Sequence, residues 1–145
     1  MDIAGTRRFK ASRERVFAAL TDPHELSELV PGVDRVEVAS EDEWIAVIRL
    51  PFGRGLNLKL DMHVTDRRPD EHARLIASGK SFAARISVAT EFELVEDGDG
   101  TELDWSAEVG LAGLLAGIGG RALEPVVRRE AERTLDRLEK RLEAG

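Results

Sequence analysis

Leu56-Asn-Leu-Lys-Leu-Asp-Met-His-Val-Thr65 alternates apolar and polar residues without a break, so one face of the segment is wholly aliphatic or thioether. Successive side chains of a β-strand point to opposite faces, and a period of two over this length therefore predicts a half-buried strand. The same period recurs on both sides. Upstream, Val36 and Val38, then Trp44, Ala46, Ile48 and Leu50, alternate with polar or smaller partners, and Pro51-Phe-Gly-Arg-Gly55 turns the chain into the quoted strand. Downstream, the turn Arg67-Arg-Pro-Asp70 precedes Ala73, Leu75 and Ala77. After Gly79 come Ile86, Val88, Phe92 and Leu94. Glu96-Asp-Gly-Asp-Gly100 is a hairpin signal. Leu103, Trp105, Ala107 and Val109 complete the last strand.

Outside this run of strands the period lengthens. Ile3 to Phe9 reads as an opening or edge strand. Ser12 is placed to cap a short helix carrying Val16, Phe17 and Leu20. Thr21-Asp22-Pro23 then restarts the chain with a capping residue and a proline at the first helical position, followed by Leu26, Leu29 and Val30. Pro31-Gly32 stops that helix. From Arg121 onward Leu123, Val127, Ala131, Leu135, Leu138 and Leu142 repeat every three or four residues, the stripe of a helix lying on a core. Pro125 predicts a break or kink between Gly119 and Pro125. Residues 1–145 therefore read as a single α+β domain. An antiparallel sheet of six or seven strands curves around a long C-terminal helix, with two short helices after the first strand.

Composition removes several functions. A net charge of −7 argues against a nucleic-acid partner, whose phosphates require clustered lysine and arginine. Without cysteine there is no thiolate nucleophile and no cysteine metal site. The N-terminal residues lack a basic segment followed by an apolar one, so a cytoplasmic location is expected.

The run Gly110-Leu-Ala-Gly-Leu-Leu-Ala-Gly-Ile-Gly-Gly120 has no polar side chain, yet a membrane-spanning helix needs about 20 apolar residues. It is expected to be buried, with Gly113, Gly117, Gly119 and Gly120 forming a hinge at the mouth of an interior space. Strand phase gives the lining of that space. Trp44, Ile48, Leu58, Leu60 and Met62 face inward from the first half of the sheet. Leu75, Ile86, Val88, Phe92, Leu103 and Trp105 do so from the second. Leu114, Leu115, Ile118, Leu123 and Val127 lie opposite. This set fits either a cavity or a filled core. Small residues at Ala46, Ala77, Ala107 and Ala112 leave volume where dense packing is the rule. Trp44 and Trp105 offer two indole N–H groups to orient a polar substituent.

Catalytic groups are not assembled by the pattern. His63 is out of phase with the apolar face, His24 falls in a first helical turn and His72 in a turn. Neither a metal-spaced ligand set nor a nucleophile elbow is present, so no metal and no cofactor are expected. Inward placement of Arg49, Arg85 or His63 would revive an acid–base site. Arg129, Arg133, Arg137 and Arg141 recur at four-residue spacing beside Glu132, Asp136, Glu139 and Glu143. They read as a solvated stripe with pairs such as Asp136–Lys140.

Two segments carry a resemblance. Thr21-Asp-Pro-His-Glu-Leu-Ser-Glu-Leu-Val-Pro-Gly32 is similar to the D-P-x-x-L … P-G segment of the CoxG family of carbon monoxide dehydrogenase subunits. Gly100-Thr-Glu-Leu-Asp-Trp105, followed by the Gly110 to Arg121 run, resembles the same family's last strand and entry to the final helix. That family lies in the START-like, or SRPBCC, helix-grip superfamily, and the resemblance spans nearly the whole chain. It implies a non-catalytic binding or carrier protein for an apolar, quinone-like or lipid-like small molecule. The implied partner is a molybdenum-containing carbon monoxide dehydrogenase-type enzyme. Longer members carry a C-terminal extension that can anchor to the membrane. This chain ends at Gly145 without an apolar tail, so ligand carriage, with at most peripheral contact at the inner face of the membrane, is the expectation. The superfamily also holds polyketide cyclase and dehydratase-like enzymes that use the same cavity, which supplies the alternative.

Overall fold

The computed structural model describes residues 1–49, 57–80, 84–113 and 120–144. The chain runs β1 (Asp2–Phe9), α1 (Arg13–Thr21), α2 (Pro23–Leu29), β2 (Val33–Ser40), β3 (Glu43–Arg49), β4 (Asn57–Arg68), β5 (His72–Lys80), β6 (Ala84–Asp97), β7 (Gly100–Gly113) and α3 (Gly120–Ala144). All seven strands join one antiparallel sheet in the order β1-β7-β6-β5-β4-β3-β2. Strands β2 to β7 form a meander, and β1 adds to its far side. The α1–α2 connection therefore links one edge of the sheet to the other.

The motif at residues 21–32 has a simple mechanical reading. The backbone N–H of Asp22 donates to Ala18 O at 2.9 Å and closes α1, while its Oδ1 accepts from the N–H of Glu25 at 2.8 Å and opens α2. Pro23 presets the first turn of α2 and has no N–H to waste there. Leu26 and Leu29 are both buried. Gly32 then takes φ +88°, and a Cβ on it would collide with the carbonyl oxygen of Arg49, whose N–H donates to Gly32 O at 2.8 Å. The segment is a two-helix corner locked onto β3.

The core joins both layers. Phe9, Val16, Phe17, Leu29, Trp44, Phe92, Leu103, Leu135 and Leu138 belong to one buried cluster. Leu58 anchors a second, against Ile48, Leu60, Ile86 and Leu111. Phe17 meets Phe92 edge-on at 6.3 Å between ring centres, which ties α1 to the sheet. Buried Thr101 donates its hydroxyl to Ala11 O at 2.7 Å and holds the β1–α1 link to β7.

Helix α3 is clamped at three levels. Arg128 Nη1 donates to Ala4 O at 3.4 Å on β1. Arg7, also on β1, binds Asp136 at 2.7 Å and Glu132 beside it. Arg141 pairs with Glu25 and Glu28 on α2. Burial acts to lower the pKa of Arg7, but the hydrogen bonds and charges of Asp136 and Glu132 outweigh it, so the net shift is upward.

Four sequence expectations change. Val38 stays in phase, paired with Trp44, yet is 46% exposed, because β2 is an edge strand of the sheet. His72 opens β5 instead of lying in a turn. The final helix starts at Gly120 and continues through Pro125, which falls early enough to remove a single backbone bond. Asp136 pairs with Arg7 across the fold, not with Lys140 along the helix. Leu50, the turn at 51–56 and residues 114–119 lie outside the described residues.

Candidate functional site

Between the inner face of the sheet and α3 lies a cavity of about 330 Å³. The sheet gives it Ile48 from β3, Leu60 and Met62 from β4, and Ile86, Val88 and Phe92 from β6. Trp105 on β7 and Val127 on α3 also border it. These eight were expected inward from strand and helix phase. Each strand contributes alternate residues, so the lining is aliphatic or aromatic almost throughout.

Phase fixes the face a residue occupies but not its level along the strand. Trp44, opposite Met62, is fully packed in the main core and does not border the cavity. Leu58 is buried in the smaller cluster. Leu123 is buried near the start of α3, again away from the lining. Leu115, Ile118, Gly117 and Gly119 lie outside the described residues. Gly113 ends β7 and Gly120 begins α3, on either side of that segment.

The structure adds residues that strand phase did not single out. Leu20, Leu26, Val30 and Pro31 close one end from the α1–α2 corner. Their signal was present as the apolar spacing of two short helices, but nothing local says that the corner crosses the mouth of the sheet. On α3, Glu130, Ala131, Thr134 and Leu135 share the face of Val127 at helical spacing.

Polar groups at the cavity are few, which makes each informative. The Thr134 hydroxyl is committed to Glu130 O at 2.9 Å. The Glu130 carboxylate accepts from Arg133 at 3.3 Å. Thr90 places a hydroxyl on the lining from β6. Trp105 is different: its Nε1 is buried and has no hydrogen-bond partner. A buried donor left unpaired costs about 1–3 kcal/mol, and this one has no surface open to the cavity, although the residue borders it. Its ring lies against Gly5 of β1, where a Cβ would fall 3.1 Å from Nε1.

The groups that would have revived acid–base chemistry point elsewhere. Arg49 and Arg85 are exposed, and His63 lies on the outer face, 3.4 Å from Glu43. Among the described residues no group of three His, Asp or Glu side chains is placed to hold a metal ion. Among those residues, too, no helix is long and apolar enough to cross a membrane.

A curved antiparallel sheet gripping a long C-terminal helix, with two short helices after the first strand, defines the START-like class of fold. Solved structures agree. A conserved protein from Geobacillus kaustophilus matches with a TM-score of 0.91 at 22% identity, over 99% of this chain and 96% of its own. A START superfamily protein from Mycobacterium smegmatis matches with a TM-score of 0.77 at 14% identity, over 99% and 97%. A protein from Rhizobium leguminosarum gives 0.75 at 19% identity, over 100% and 95%. At these identities the likeness speaks for the fold. No curated protein matches the sequence. The chain belongs to the CoxG family of carbon monoxide dehydrogenase subunits, whose model matches residues 5–143.

Proposed function

We propose that this protein binds and carries an uncharged apolar small molecule in the cavity between sheet and α3, without transforming it. The observation that carries this reading is the cavity of about 330 Å³ whose lining is almost wholly aliphatic and aromatic. Such a site rewards a ligand that buries hydrocarbon, at about 25 cal/mol per Å². A quinone with its alkyl tail or a lipid acyl chain has that chemistry. Family membership supports an accessory role beside a molybdenum-containing, carbon monoxide dehydrogenase-type enzyme. We further propose that the carrier works in the cytoplasm, with peripheral contact at the inner face of the membrane.

Native mass spectrometry of the purified protein, followed by solvent extraction and addition of an alkyl-quinone, tests the reading. One apolar molecule per chain, retained or taken up, is expected. Neither retention nor uptake would remove the carrier function. The rival reading, a cyclase or dehydratase, rests on the Glu130 carboxylate at the cavity wall. It requires turnover of a polyketide-type substrate that disappears in Glu130→Gln, whereas a carrier keeps its uptake in that variant.

A further inference from the structure

The outward-facing side chains of β6 read Arg85, Ser87, Ala89, Glu91, Glu93: basic at one end, small in the middle, acidic at the other. The neighbouring strands extend both ends. Lys80 of β5 stands directly opposite Arg85, and Lys59 of β4 is next to the Leu60–Gly79 pair in the same row. At the far end Glu93 stands opposite Asp104 of β7, while Arg74 of β5 stands opposite Glu91. Like charges directly opposite on a sheet destabilise it, so each row is held at a cost to the monomer. Among the described residues none of Lys59, Lys80 and Arg85 has an ion-pair partner, nor does Glu91 or Asp104. Glu93 has only long contacts, 3.5 Å to His72 Nδ1 and 4.0 Å to Arg68.

The relief of this face matches its charge. A trough of about 780 Å³ is bordered by Lys59, Lys80 and Arg85 against a single acid, Asp61, and its small residues include Ser87 and Gly110. A second, of about 490 Å³, is bordered by Asp2, Glu91 and Glu108 with Arg74. The two troughs lie on one face, and their signs are opposed.

We propose that this outer face is a self-association surface, on which a second copy packs β6 antiparallel against β6. A two-fold axis lying across the strands at Ala89 sets Arg85 of each copy against Glu93 of the other and Ser87 against Glu91, with Ala89 meeting Ala89. Glu108, directly opposite Ala89 on β7, then also meets its own copy, a like-charge contact that subtracts from the pairing. One patch then serves both sides, as an isologous contact requires. A convex sheet meets its copy along little more than one strand, so the pair is weak and depends on charge. The alternative route through the β2 edge is blunted: β2 carries Asp34, Arg35 and Glu37 and two register irregularities.

Sedimentation equilibrium at high protein concentration tests this. The wild-type protein is expected to exceed its 16.0 kDa monomer mass at moderate salt and to return towards it in high salt. Arg85→Glu and Glu93→Arg, both at exposed sites, should each weaken association by about tenfold or more. Mixing the two variants should restore it, because each then offers the charge its partner lacks. Circular dichroism of each variant checks that the fold is kept. A wild-type protein monomeric at every concentration, an Arg85→Glu variant that associates like wild type, or a mixture that stays monomeric would each overturn the proposal.

Discussion

Gly5 on β1 stands directly opposite Trp105 on β7, and the indole occupies the space that a side chain at residue 5 would need. The absent side chain thus sets the position of the ring, and the ring forms part of the cavity wall. Gly5→Ala should leave stability within about 1 kcal/mol of wild type, since alanine's advantage over glycine inside a strand offsets the tight contact. Affinity for an alkyl-quinone should fall severalfold as the ring shifts. Denaturant unfolding and a fluorescence titration measure the two effects, and an unchanged affinity would detach residue 5 from the site.

Replacing the indole by a smaller ring tests the cost of its unpaired N–H. Trp105→Phe removes a buried donor that has no partner but leaves a gap beside Gly5, so stability should stay within about 2 kcal/mol of wild type. Denaturant unfolding gives the comparison. A larger loss would mean that the indole N–H has a partner in solution.

Filling the space should trade function for stability. Ala131→Leu adds bulk to the lining from α3 without lowering helix propensity appreciably. If the added carbons settle into the void, the protein gains up to about 2 kcal/mol and loses uptake. Thermal unfolding and ligand uptake are the readouts. Undiminished uptake would place the ligand elsewhere.

The Arg7 clamp is electrostatic and should behave so. Arg7→Met keeps much of the side chain's bulk but frees Glu132 and Asp136, and should cost about 1 kcal/mol at low salt. Because salt screens such pairs, the gap between variant and wild type should narrow in high salt. A gap independent of salt would assign the effect of Arg7 to packing.

How far the sequence carried the structure depends on the range of each interaction. The alternation at Leu58, Leu60 and Met62 is local, so the strand and its inward face were legible. The capping by Asp22 and Pro23 acts within four residues and was equally plain. Val38 keeps the period, paired with Trp44, yet stands exposed, because the place of β2 at the sheet edge leaves no mark in its own alternation. Trp44 had the right face but the wrong level, since phase carries no coordinate along the strand. The Arg7–Asp136 pair joins residues 129 apart, and no local pattern encodes it. The Leu20–Pro31 side of the cavity was hidden for a related reason: its apolar spacing shows a buried helix face, while only the sheet order shows what that face covers.

The position of α3 in the chain has a consequence for how the protein is made. All seven strands precede it, and its clamps reach back to β1 and α2, the earliest elements. Whatever the order in which the strands pair, the inner face is covered only when α3 docks. Until then it is an open apolar dish, at its most accessible to a hydrophobic guest and also to aggregation.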